Sequence, residues 1–437
     1  MSKDDYSVIT RLLKKEVVPA IGCTEPVAVA LAAAKACEVL KADVGFLSIF
    51  VSPNLFKNGT GVGIPGTGMV GLPIAAALGA CSGKSKYGLE VLKDADEKAV
   101  EKAKKMIKEN RVTVEIEKDE NPLYVKCICM NKKKTHETKV VIREEHSNIS
   151  LIERDNKIVF KHQKEKPRAG EDLNADFLDM KRIKDYVDRV DLKEIAFMEE
   201  AIILNNTMGK EGLTGDYGLA VGKTILKGQD YPPTVKSKGV KLLNATVSNY
   251  AVALTAGAAD ARMSGCILPA MSNTGSGNQG INATLPIVAV AQSGKFDKER
   301  LIRAVTMSHL VTIHIKSHMG RLSALCGVVA ASTGVSAGLS YLLGGDLRII
   351  SDAIKNLIGN LTGMICDGAK PGCALKVASG VQAAVTAVLL AFNGKVVSPA
   401  EGIVEKDVEK TLQNLAAIGA KAMKLTDEFI LDIMVCK

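Results

Sequence analysis

Long apolar runs built from Ala, Gly and Val, with few bulky side chains, constrain this chain most. In Pro26 to Leu40 and Ala374 to Phe392 the only aromatic residue is Phe392. Helices with such surfaces must approach one another closely to fill space. Aromatic residues make up 4% of the sequence and Trp is absent, so the core is aliphatic. With 437 residues, 47% hydrophobic and 24% charged, the composition is that of a folded globular chain with room for more than one domain.

The patterning changes character twice. Ser7 to Val18 and Pro26 to Leu40 read as helices, with Thr24 as a cap and Pro26 in the first turn, where its missing N–H costs nothing. Val44 to Val51 reads as a strand, Asn58 to Gly68 as a Gly-rich loop, and Met69 to Ala80 as an apolar helix. From Ser85 a charged helix, Asp94 to Asn110, precedes short alternating runs: Val112 to Glu117, Leu123 to Met130, Thr138 to Arg143, Ile149 to Glu153 and Ile158 to Lys161. Period-two alternation between turn residues predicts an antiparallel sheet with helical cover. After the polar stretch His162 to Asp172, helical patterning runs to the end. The expected class is α+β, with a helical catalytic domain from 1–84 and 173–437 and a small α+β domain at 85–172.

The net charge of +9 falls on segments intermixed with Asp and Glu, such as Lys93 to Lys108 and Asn131 to Lys139. No stacking aromatics accompany it, so it reads as a solvated surface that attracts carboxylates, and not as a nucleic-acid interface. Ala374 to Phe392 is interrupted by Lys376 and Gln382 and does not read as a membrane span. The N-terminus lacks an apolar signal region, and ten cysteines without one belong in a reducing compartment. Cytoplasm is the expected location.

Chemistry concentrates in Cys366-Asp367-Gly368-Ala369-Lys370-Pro371-Gly372-Cys373, preceded by Cys326. Pro and two Gly between paired thiols prevent a regular helix and let both sulfurs turn toward one point. Three thiolates can hold an iron-sulfur cluster and leave one iron open. Spacing alone leaves core packing and a structural zinc site as rivals. Cys23 precedes a helix start, where amide N–H groups and the macrodipole favour a thiolate, so a lowered pKa and a general-base role are expected beside simple burial. Ser272 to Gly280 leads into an apolar helix and is suited to a carboxylate, a flexible turn being the alternative. His309, His314 and His318 lack a metal-ligand pattern and read as packing or surface residues. Cys127 and Cys129 share one face of a strand, while Cys37, Cys81 and Cys266 read as space-filling.

Gly22-Cys23-Thr24-Glu25-Pro26, Ser272 to Gly280, Gly320 to Gly327 and Met364 to Cys373 together resemble the L-cysteine desulfidase family, which is related to the catalytic chain of iron-sulfur L-serine dehydratases. The resemblance runs in order over nearly the whole chain. It implies a four-iron, four-sulfur (4Fe-4S) cluster on Cys326, Cys366 and Cys373, Cys23 as the base, and elimination of hydrogen sulfide from L-cysteine to give pyruvate and ammonia. Substrate binding is expected from Asn58, Asn205, Ser272, Asn273, Thr274, Ser276 and Asn278. In some related serine dehydratases a C-terminal cysteine occupies the open iron, and Cys436 holds the matching position. Against that stands the ordinary fraying of a chain end. The competing readings are an iron-sulfur L-serine dehydratase, a pyridoxal-phosphate lyase for which no lysine stands out, and a non-catalytic iron-sulfur sensor. L-Cysteine is the expected partner, without nucleic acid or membrane; a homo-oligomer is compatible with the sequence.

Overall fold

The computed structural model describes residues 3–118, 120–162, 175–320 and 323–436. The polar stretch beyond His162, with the expected boundary at 172, lies outside the described residues, as do Arg321 and Leu322 before Cys326. The first part of the chain runs α1 (Lys3–Glu16), β1 (Pro19–Ile21), α2 (Thr24–Leu40), β2 (Val44–Val51), α3 (Pro53–Gly59), α4 (Leu72–Ser82) and α5 (Glu97–Lys108). Five strands follow: β3 (Val112–Ile116), β4 (Tyr124–Asn131), β5 (Glu137–Arg143), β6 (Ile149–Arg154) and β7 (Lys157–Lys161). Next come α6 (Met180–Arg189), α7 (Leu192–Ile195), α8 (Met198–Thr214), α9 (Val221–Ile225), α10 (Ala245–Met263), β8 (Pro269–Met271) and α11 (Gly277–Gly294). The chain ends on α12 (Lys298–Met319), α13 (Gly327–Leu342), α14 (Leu347–Leu361), α15 (Cys373–Phe392), α16 (Val408–Ala417) and α17 (Lys424–Val435). This is an α+β architecture dominated by helices.

The main sheet has the order β3-β2-β4-β5-β6-β7. It is mixed where an antiparallel sheet was expected, because β2 pairs with β3 in parallel. A parallel pair requires a long crossover, which the segment through α3, α4 and α5 supplies. Strict alternation on β2 buries Leu47, Ile49 and Val51. The opposite face carries Phe46 and Phe50, under the ammonium groups of Lys134 and Lys126 at 4.8 and 4.3 Å. Part of the basic surplus thus covers exposed aromatic surface. One apolar core joins α2, β2 and α4 to α5 and to residues as late as Ile152. Residues on both sides of position 85 contribute to this core. The small helix side chains of α2 and α4 belong under the sheet.

The second core centres on α10, which is buried on nearly every face. Close approach there is enforced by small residues: a Cβ on Gly212 of α8 would fall 1.8 Å from the Gly257 carbonyl oxygen. α15 is the one described helix long and apolar enough to cross a membrane by length and composition, and half of that apolar window is buried inside the protein. Asp96, Asp297 and Asp346 cap α5, α12 and α14 by accepting an N–H from three residues on.

Asp260 is the conspicuous cost in α10. It is fully buried, accepts the Gly222 N–H at 3.1 Å through Oδ2, and leaves Oδ1 without a partner among the described residues. Burial pushes its pKa up to about 6. A raised carboxyl favours the fold below its unfolded value, and that contribution is lost as pH rises through 6. Asp260→Asn removes the ionisation, so its stability relative to the parent should improve by up to about 3 kcal/mol between pH 4 and pH 8. Denaturant unfolding at both pH values measures this; an unchanged difference would count against the assignment.

Candidate active site

A two-stranded ladder assembles the site. β1 pairs antiparallel with β8, matching Pro19 with Met271 and Ile21 with Pro269. Beyond the ladder, Ser272 N–H donates to Val18 O at 2.9 Å and Thr274 N–H to Glu16 O at 3.0 Å. The turn at Gly22-Cys23 thereby sits against the loop before α11, about 250 residues away in sequence. Cys23, and not Thr24, is the N-cap of α2; the Thr24 hydroxyl instead donates to Gly275 O at 2.6 Å.

A second backbone link positions two of the three expected ligands. Leu325 and Ile365 form an isolated antiparallel bridge, flanked by Cys326 N–H to Met364 O at 3.0 Å and Cys366 N–H to Ala324 O at 2.6 Å. Cys326 caps α13, and Cys373 is the first residue of α15. Lys57, itself buried, donates to Cys366 O at 3.1 Å and forms an ion pair with Asp427 of α17. Asp367 is partly buried, yet Lys370 and Lys376 hold its carboxyl down to about 2. The loop between the paired thiols is therefore pinned at several points.

Cys326, Cys366 and Cys373 line one cavity of about 100 Å³ together with Cys23. A hydrogen bond from the Cys326 thiol lowers Cys366, helped by the Lys57 and Lys376 charges, whereas that same bond and burial raise Cys326. Burial also raises Cys373. Among the described residues no three His, Cys, Asp or Glu side chains are placed to hold one metal ion together. Ligands of a cubane cluster each bind a different iron, so their sulfurs need not meet at one point. Three soft donors lining one small cavity fit such a group.

Residues 86–432 match the serine dehydratase alpha chain family. The chain belongs to that family. Among its relatives, the UPF0597 protein of Parabacteroides distasonis is 44% identical over 98% of both chains. That of Bacteroides fragilis is 42% identical over the full length of both, and that of Photobacterium profundum is 45% identical over 98% of this chain and 97% of its own. The serine dehydratase alpha chain match includes Cys326, Cys366, Cys373 and the loop before α11. Cys23 and Asn58 precede it.

In this serine dehydratase-like chain the Cys23 thiol donates to Glu25 Oε2 at 3.0 Å. The expected lowering of its pKa does not occur: burial, and next the Glu25 charge, push the thiol up. A helix-start field is too small to offset loss of solvent and an adjacent carboxylate. Asn58 bridges the pair to the thiols, its Nδ2 donating to Glu25 Oε1 at 3.2 Å and its Oδ1 standing 4.0 Å from Cys366 Sγ. Thr274, Ser276 and Asn278 also line the cavity.

Asn205, Ser272 and Asn273 do not reach that cavity; they brace its wall. The Asn205 amide group donates to Met271 O, Gly280 O and Thr284 Oγ1, and its Oδ1 accepts from Met271 N–H at 2.9 Å. Ser272 donates to Val18 O at 2.6 Å. Asn273 and Thr284 hold His309 through its two ring nitrogens at 3.0 and 2.9 Å, and burial pushes that histidine down to about 3, so it is neutral. His314 bonds Glu409 at 2.8 Å and stacks edge-on with His318. Cys127 and Cys129 are buried under the sheet, with Cys129 Sγ 3.7 Å from Cys37 Sγ. Cys81 contacts Met106, and Cys266 contacts Tyr217. Cys436 is exposed at the end of α17 and does not line the cavity. Three polar lining residues that the motifs did not single out are His146, from the turn between β5 and β6, Arg262, near the end of α10, and Lys316, near the end of α12.

Proposed function

We propose that this chain is an iron-sulfur lyase that releases hydrogen sulfide from L-cysteine by non-redox α,β-elimination. The observation that carries the reading is that Cys326, Cys366 and Cys373 share one cavity with the Cys23–Glu25 pair and the amide-rich start of α11. When bound, a 4Fe-4S cluster supplies an iron without a protein ligand, a Lewis acid suited to a departing sulfur. The remaining work falls to the chain.

The first amides of α11 lack intrahelical acceptors, and the Ser276 side chain takes only that of Gln279, so the amides of Gly277 and Asn278 remain for a substrate carboxylate. Cys23 accepts the α-proton once its own proton has passed to Glu25 Oε2, 3.0 Å away. Asn58, bonded to the other carboxylate oxygen, keeps Glu25 from rotating off the thiol. Loss of the α-proton and of the β-substituent leaves aminoacrylate. One water then converts it to pyruvate and ammonia, which balances the reaction without an external oxidant. Free thiols and an oxygen-sensitive centre suit the cytoplasm.

Serine dehydration is the second reading, favoured by the family's name. Anaerobically reconstituted protein offered equal L-cysteine and L-serine should give sulfide and pyruvate in equal amounts from cysteine, faster than pyruvate from serine. Faster release from serine would favour dehydration; no turnover from a fully loaded protein would favour a binding module.

A further inference from the structure

Among the described residues no carboxylate stands within ion-pair distance of the buried guanidinium of Arg262. Its side chain is 2% exposed, Nη2 donates to Gly22 O at 2.8 Å and Nη1 to Asn278 Oδ1 at 3.2 Å, and both acceptors are neutral. Nε has no hydrogen-bond partner among the described residues. A guanidinium withdrawn from water without an ion-pair partner is expensive, so such a group is retained where an anion arrives to offset it.

Its surroundings say where that anion sits. Arg262 lines the same cavity as Thr274, Ser276 and Asn278. A Cβ on Gly277 would fall 2.3 Å from Nε, so only glycine at the first position of α11 lets the guanidinium lie against the helix start. Two independent sources of positive potential, a fixed cation and the N-terminus of an 18-residue helix, therefore meet at one wall of the cavity. Cys23 and its Glu25 partner line the same cavity.

We infer that Arg262 is the specificity-determining residue for the α-carboxylate of an amino-acid substrate, selecting carboxylates over neutral analogues. This rests on the lyase reading for the choice of an amino acid, but not on the identity of the leaving group. The carboxylate supplies the acceptor that the Arg262 guanidinium lacks and is oriented by the α11 amides, which aims the α-hydrogen toward Cys23. The guanidinium touches substrate, not the bond that breaks, so its loss acts on binding more than on chemistry.

L-Alanine and L-alaninamide, which carry no β-leaving group, probe this in the anaerobic holoenzyme by calorimetry. The parent should bind alanine about ten- to a hundredfold more tightly than the amide, the range of a charge-assisted hydrogen bond. Arg262→Gln should erase that preference and raise KM for the turned-over amino acid by a similar factor while kcat changes less. Gly277→Ala, which leaves Arg262 in the chain but crowds its guanidinium away, should weaken alanine binding in the same sense. Should Arg262→Gln not fold, Gly277→Ala and the parent's own acid-against-amide comparison decide. A purely structural strap would leave the preference intact in any folded variant. A parent indifferent to acid or amide, or a folded, iron-loaded Arg262→Gln that still prefers alanine, overturns the inference. If alanine binds with the expected preference while neither cysteine nor serine turns over, this inference stands and the lyase reading falls.

Discussion

Cys366→Ser is expected to strip most of the iron from anaerobically purified protein, from about four atoms per chain to below about one, and to abolish turnover. Serine preserves the size of the side chain and the backbone bonds that tie Cys366 to Ala324 and Lys57. It replaces a soft thiolate by a hydroxyl that stays protonated and binds iron poorly. Cys373→Ser should act alike, since that thiol stands at the first turn of α15, on the far side of the same loop. Cys436→Ser provides the contrast: the thiol is exposed and off the cavity, so iron content and resting spectrum should be unchanged. Iron analysis and absorbance read all three. Full iron and full activity in both Cys366→Ser and Cys373→Ser would defeat the cluster assignment, and an altered resting spectrum in Cys436→Ser would bring the chain end into the centre.

The second large effect concerns the proton. Cys23→Ala should keep its iron and its affinity for amino acid yet lose about a hundred- to ten-thousandfold in turnover, the range for removing a general base. Glu25→Gln should cost a similar factor for a different reason. The thiol stays, but its proton has no carboxylate to move to, and burial still raises it. Turnover of that variant should climb with pH as hydroxide takes over, while the parent is flat near neutrality. Exchange of the substrate α-proton in heavy water reports the step directly. Parent-like exchange in Cys23→Ala removes Cys23 from the role, and a Glu25→Gln with a flat, undiminished rate removes Glu25.

Much of the fold is legible in the sequence because local pattern decides it. Five alternating runs become β3 to β7 with no end displaced by more than one residue, since turns and alternation are local. The parallel partner of β3 was not legible: β2 lies some sixty residues upstream, and nothing in either strand encodes which long-range neighbour it takes. The same limit hid the β1–β8 ladder, each strand being three residues long. At the site, thiols and glycines announced themselves by residue type. Glu25 lay inside a quoted motif without a role, because only the folded turn brings its carboxylate to the Cys23 thiol. Arg262 gave one faint signal: it and Asp260 are the only charges in a nineteen-residue helix that is otherwise apolar or small. The expected thiolate at Cys23 failed because a sequence reveals a helix start but not how completely the site is shut from water.

The short β1–β8 ladder has a further implication for how the centre comes into being. One part of the cavity lining is in the chain by residue 25, the segment packed against it comes near residue 276, and the last thiol at residue 373. A growing polypeptide shorter than that lacks the last of the three proposed ligands. If these thiols hold the proposed cluster, filling it requires nearly the whole chain to be made and folded first.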